Sequence, residues 1–165
     1  MSTTRTAIAA AVVSVLVLSQ GACSRDASKR DAVPPDEATA LLDQRIWLDK
    51  EPRSQTDQFH VLVFNRRQGS GVMQRGTIWK GHYEIFLYEA QKGRIDMKLP
   101  GSQKRVQTGF GIEREKHGRA DTKLTLERTP QGPTVYYGFR FDGHDAGDID
   151  AWLAAQFGDV PAAAN

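Results

Sequence analysis

The sequence predicts an all-β protein: an eight-stranded antiparallel up-and-down barrel with a C-terminal amphipathic helix packed outside. Three observations carry this reading. Between residues 45 and 141, apolar residues recur with period two in eight short segments. Turn residues such as Gln91-Lys92-Gly93 and Pro130-Gln131-Gly132-Pro133 separate them. The last apolar stretch, residues 148–157, changes to helical spacing.

The elements follow in order. Pro34-Pro35 closes a polar stretch, and Asp36 stands where an N-cap belongs, ahead of a short helix through Leu42. Ile46 and Leu48 flank Trp47 in the first strand. Residues 58–65 alternate Phe59, Val61 and Val63 with His60, Leu62 and Phe64. A turn at Arg67-Gln68-Gly69-Ser70-Gly71 leads to a third strand over 72–80, with Gly76 as a bulge. Residues 82–89 set Tyr83, Ile85 and Leu87 against Glu84, Phe86 and Tyr88. The fifth strand, 94–99, alternates Ile95, Met97 and Leu99 with Arg94, Asp96 and Lys98. The sixth, 105–113, carries Val106, Thr108, Phe110 and Ile112. After a polar loop at 115–121, Leu124 and Leu126 mark the seventh, and Val135, Tyr137, Phe139 and Phe141 the eighth. Ile149, Trp152, Leu153, Gln156 and Phe157 form the helix, capped by Asp145 or Asp148 and ended by Gly158.

The strands at 58–65 and 82–89 are apolar on both faces, so one face of each needs a cover, and the C-terminal helix supplies it. With Leu62, Phe64, Phe86 and Tyr88 placed outward under that cover, the inward set is Phe59, Val61, Val63, Tyr83, Ile85, Leu87, Ile95, Met97, Phe110, Leu124, Tyr137 and Phe139. An eight-stranded barrel of this kind either fills itself with side chains or holds one small ligand.

The N-terminus carries an address. Arg5 precedes a twelve-residue run, Ala7 to Leu18, that is apolar but for Ser14 and too short for a bilayer, which takes roughly 20 residues. Cys23, the single cysteine, follows at once, and Ser24-Arg25-Asp26 turns polar. The segment Leu18-Ser19-Gln20-Gly21-Ala22-Cys23 resembles a bacterial lipobox, with Gln20 where that family prefers leucine. The resemblance implies that residues 1–22 are a signal peptide and that Cys23 is the lipid attachment site. It also implies, with Ser24 following, the periplasmic face of an outer membrane. Residues 23–35 then form a lipidated polar tether, 36–158 the barrel domain and 159–165 a loose tail.

Eight antiparallel strands, a tryptophan on the first and a helix after the last resemble the lipocalin-like group of the calycins. That likeness implies an arginine late in the barrel packed across the tryptophan, and Arg140 is the match to Trp47.

Composition and motifs narrow the function classes. Without residues 1–22 the chain has 21 basic and 20 acidic residues, so no positive field argues for nucleic acid. His60, His82, His117 and His144 are scattered; His82 and Glu84 share a strand face, but no third metal ligand can be placed. Asp142, Asp145 and Asp148 lack the spacing of a calcium loop. Gly69-Ser70-Gly71 is turn chemistry, and Gly109 and Gly111 lie in a strand rather than before a helix. The expectation is a non-enzymatic envelope protein without cofactor or metal. It either binds a small apolar ligand inside the barrel, or has a filled barrel and meets a protein or glycan partner through Arg66, Arg67, Trp79, Lys80, Arg119 and the 100–105 loop.

Overall fold

The computed structural model describes residues 31–143 and 146–162; Cys23, His144 and Asp145 lie outside them. Helix α1 (Pro35–Asp43) leads into β1 (Arg45–Leu48), β2 (Phe59–Asn65), β3 (Ser70–Gly76), β4 (Gly81–Gln91), β5 (Arg94–Leu99), β6 (Lys104–Glu113), β7 (Thr122–Leu126) and β8 (Val135–Arg140), and α2 (Ala146–Phe157) closes the order. Each strand pairs antiparallel with the next, and β1 pairs with β8, so the sheet is a closed barrel without an open edge. Local chemistry explains the tightest connection. Lys92 and Gly93 both have positive φ, 49° and 78°, the requirement of a two-residue hairpin that joins Gln91 to Arg94.

Two segments differ in detail from the sequence expectation. Pro34, not Asp36, is the cap residue of α1, and no side chain caps it; Pro35 takes the first turn, where a missing N–H costs nothing. Gly76 is not a bulge. It ends β3 opposite Gly81, and a Cβ there would meet the Lys80 carbonyl at 2.1 Å, so the strand stops where two backbones touch.

The pairing decides which face is inside. Trp47 stands opposite Leu62, Leu62 opposite Met73, Tyr88 opposite Met97, and Ile112 opposite Leu124, which faces Tyr136. These residues, with Phe64, Phe86, Ile95, Leu99 and Leu126, form one buried cluster drawn from every strand. Only the barrel interior gives one face of all eight strands a common center. Phe64 meets Phe86 and Tyr88 edge to face at centroid distances of 5.4 and 5.1 Å, and Phe86 and Tyr88 lie tilted at 5.9 Å.

Of the twelve residues the sequence placed inward, four stay inside and eight turn outward. Ile95, Met97 and Leu124 are buried in the interior, and Phe110 packs against it. Phe59, Val61, Val63 and Phe139 face outward into a second cluster with Ile149, Leu153 and Phe157 of α2, and Tyr137 packs beside it. Tyr83, Ile85 and Leu87 share the outer face of β4; Ile85 and Leu87 are exposed. Conversely Leu62, Phe64, Phe86 and Tyr88, assigned outward from the sequence, fill the barrel. A shift of one residue exchanges the faces of a strand, and β2 and β4 carry apolar residues on both.

The helices close what the strands leave open. Helix α1 lies across one barrel end against β2, β4 and β6, with Leu42 wholly buried. Its Leu42 carbonyl accepts the Trp47 indole N–H at 3.1 Å. Arg45 at the same end donates from Nε and Nη2 to the two Asp121 carboxylate oxygens at 3.1 and 3.2 Å. Residues 31–33 already belong to the fold: Val33 N–H bonds the Ile112 carbonyl, and Ala32 bridges Glu113. Helix α2 covers the outside of β1, β2 and β8 through Ile46, Leu48, Val61 and Phe139. It does not cover β4 as the sequence suggested, although the Tyr83 hydroxyl donates to Asp150.

Leu62→Ala will destabilise the fold by about 2–5 kcal/mol because it empties interior volume, whereas Leu87→Ala will change stability by less than about 0.5 kcal/mol; denaturant unfolding of both variants checks the face assignment. Gln74 is buried between Val61 and Tyr83, and its amide has no protein partner. Gln74→Met, of similar shape and without the orphaned polar atoms, is expected to raise stability by about 1 kcal/mol in the same assay.

Candidate functional site

The interior is the first place to look for a ligand site. Trp47, Met73, Phe86, Met97, Leu124 and Tyr136 each have 0% of their surface accessible. A void large enough for a water would appear as accessible surface on its lining, so this core is filled by its own side chains. Trp47 is sealed on all sides. A Cβ at Gly138 would meet its ring at 2.7 Å, so glycine there lets the indole lie on the β8 backbone. Arg140, the residue expected across Trp47, instead has an 87% exposed side chain near Asp121. Its strand position puts it opposite Arg45, and with Trp47 wholly buried it does not cover the ring.

The barrel end opposite α1 carries polar side chains. Asp49 accepts the His60 backbone N–H at 2.8 Å and contacts its ring Nδ1 at 3.0 Å. His82 stands opposite Arg75 across β3 and β4, and both are exposed. Glu84 accepts the Ser102 hydroxyl at 2.8 Å. His82 and Glu84 thus share a face as the sequence suggested, but Glu84 is engaged with a loop serine. Among the described residues no cluster of three His, Cys, Asp or Glu side chains is placed to hold a metal.

The outer surface splits into three regions. The first is the α2 seat, to which Arg119 belongs. Its guanidinium lies 4.3 Å from the center of the Phe157 ring and donates to the Gln156 carbonyl at 2.7 Å, so this exposed loop residue also pins the helix. His117 stacks on Tyr137 at 4.0 Å in the same loop. The second is a polar groove of about 380 Å³ over β4, β5 and β6, lined by Glu89, Arg94, Asp96, Gln107, Glu127 and Arg128. Its floor is low because Gly109 carries no side chain; the Glu127 carboxylate occupies that space and accepts the Gly109 N–H at 3.2 Å. Hydrogen bonds from Arg105, then from Gln107, hold Asp96 down to about 2 from the ordinary 3.8. The third region is the hairpin of β3 and β4, where Trp79, Ile85 and Leu87 stand exposed. The sequence singled out Trp79 but placed Ile85 and Leu87 inside. The missed signal was the Lys92-Gly93 turn, whose two-residue length sets Tyr88 opposite Met97.

Comparison of the chain with protein families, with curated proteins and with solved structures finds no match in any of the three. The fold and its surfaces therefore define the class: a closed eight-stranded antiparallel barrel with a plugged end, a solid core and one helix outside.

Buried tyrosines give this core a pH signature. Burial, then the charge of Asp43, pushes the Tyr88 phenol from 10.0 up to about 12. Burial likewise raises Tyr136, with Asp49 adding to it. The folded state keeps phenol protons that the unfolded chain releases near pH 10. This stabilisation is present in full below pH 10 and is lost as pH rises toward 12. Unfolding in denaturant at rising pH will show stability falling over that window, and Tyr88→Phe will flatten the slope.

Proposed function

We propose that this chain is a lipid-anchored cell-envelope protein that acts through its outside, as a solid scaffold for a partner, rather than by carrying an apolar molecule in the barrel. The observation that supports it is the interior without accessible surface around Trp47, Met73, Phe86 and Tyr136. A bound apolar molecule would have to displace side chains packed at interior density, and each large one removed costs about 3–5 kcal/mol. The anchor rests on the sequence: the short apolar run, the small residues before Cys23 and the polar stretch behind it. Acylation at Cys23 supplies several chains at about 0.8 kcal/mol per buried CH₂, enough for stable attachment where a single chain is not. In this reading residues 1–22 are removed and the barrel sits on the periplasmic face of an outer membrane. It takes no cofactor and performs no catalysis. Its partner is an envelope protein or glycan, to which the groove over Gly109 offers mixed carboxylates and guanidiniums.

Two measurements test the two halves. In a bacterium with an outer membrane, the wild-type protein is expected to stay in the membrane pellet through a high-salt wash and Cys23→Ala to be released by it; a Cys23→Ala protein that still pellets after the wash rules out the acyl anchor. Native mass spectrometry of residues 24–165 recovered from an envelope extract is expected to give the bare polypeptide mass. An added mass that solvent extraction removes would overturn the filled-scaffold reading and restore the ligand carrier.

A further inference from the structure

We infer that the outer face of the β3–β4 hairpin is a membrane-contact surface that seats on an anionic phospholipid bilayer. Among the described residues the exposed large hydrophobics are Trp79, Ile85 and Leu87, at 58%, 62% and 47%, and one hairpin carries all three. Val72, partly buried, is the cross-strand neighbor of Ile85 and extends the strip toward α2. Isolated apolar residues on a surface need no explanation, but their collection on one element marks a contact site.

The display of Trp79 is built. The Thr77 N–H bonds the Lys80 carbonyl at 2.9 Å, and the Thr77 hydroxyl accepts the N–H groups of Trp79 and Lys80 at 3.3 and 3.2 Å. The turn is thereby fixed with a lysine next to the indole, whose ring edge borders Gly158 while 58% of the residue stays exposed. Charge complements this strip. Lys80 follows Trp79, and Lys98 stands opposite Leu87 on the same outer face. Neither Lys80 nor Lys98 forms an ion pair among the described residues. On this face Asp96 is engaged by Arg105 and Asp150 by Tyr83, and the exposed Glu89, two residues beyond Leu87, bounds the strip toward the polar groove. Indole at the headgroup level, aliphatic side chains just beneath it and unpaired cations around them are the features by which a protein surface binds anionic lipid. A row one strand wide on a convex barrel suits a planar bilayer. A protein partner needs about 800 Å² of buried area on each side.

The inference does not rest on acylation of Cys23, but the two fit. Residues 31–33 join the fold at the barrel end opposite Trp79. A tether there and Trp79 here lay β4 along the membrane, its eleven residues spanning about 35 Å.

The test uses unacylated protein from residue 23 onward with Cys23→Ser, which retains every described residue. It is expected to sediment with phosphatidylglycerol-containing vesicles and not with pure phosphatidylcholine, with a blue shift of tryptophan emission that Trp79→Phe abolishes. Trp79→Ser combined with Leu87→Ser, and separately Lys80→Glu, is expected to weaken binding by about tenfold, with unchanged circular dichroism because these side chains are exposed. Absence of binding to the anionic vesicles overturns the inference. So does equal binding by parent and variants, or variants that only convert a dimer to a monomer, which would make the occupant a second copy. Release of Cys23→Ala from cell membranes by a high-salt wash concerns the acyl anchor, while vesicle binding at low salt concerns the hairpin, so the two ideas fail separately.

Discussion

Closure of β1 onto β8 is the constraint on which the rest of this structure depends. β1 has only four residues, all buried, yet it pairs on both sides and turns an open sheet into a ring. A ring has a single inside, so each strand must commit one face to it. Eight strands leave an interior just wide enough for side chains to fill. Trp47, the largest of those side chains, sits at the seam. It packs on bare Gly138 of β8 and opposite Leu62 of β2, and its one polar atom is satisfied by the Leu42 carbonyl. The seam, the core and the N-terminal plug thus meet in one residue.

From that commitment the two helices take different tasks. Helix α1 adds Ala38, Leu41 and Leu42 to the interior cluster and stops one end. Helix α2 never touches the interior; it exists because β1, β2 and β8 carry apolar residues on their outer faces as well. Ile46, Leu48, Phe59, Val61, Val63 and Phe139 would be exposed without it. The Arg119–Phe157 contact and the Tyr83–Asp150 hydrogen bond fasten its two sides. Gln74, buried under this seat with no protein partner for its amide, shows where the covering is least complementary.

The same commitment determines what is left for function. A solid interior transfers the search to the outside, and there the uncovered half of the barrel is not uniform. Over β5 and β6 it is charged and locally paired, as with Asp96 and Arg105. Along β4 it is apolar with unpaired cations beside it. The charged region lies away from α2, while the β4 strip borders it through Tyr83 yet keeps Ile85 and Leu87 exposed.

How much was legible in the sequence follows from local versus long-range causes. Period-two patterning and the turn residues determined the all-β class, the eight strands and their order, because each strand announces itself within its own few residues. Strand β5 was read correctly to the residue and to the face, since Ile95, Met97 and Leu99 are apolar against three charged neighbors. β2 and β4 were placed correctly along the chain but turned inside out, because both of their faces are apolar and no local rule ranks them. The Lys92-Gly93 hairpin would have transferred the face of Met97 to Tyr88 and Phe86, so part of that error was avoidable. The face of β2 comes from its pairing with Trp47 across a strand that itself depends on β8, more than seventy residues away in sequence. The exposure of Ile85 and Leu87, the sealing of the core and the place of α2 follow from that long-range closure. The sequence by itself determined the elements; tertiary structure decided their sides, because inside is a property of the closed ring and not of any one strand.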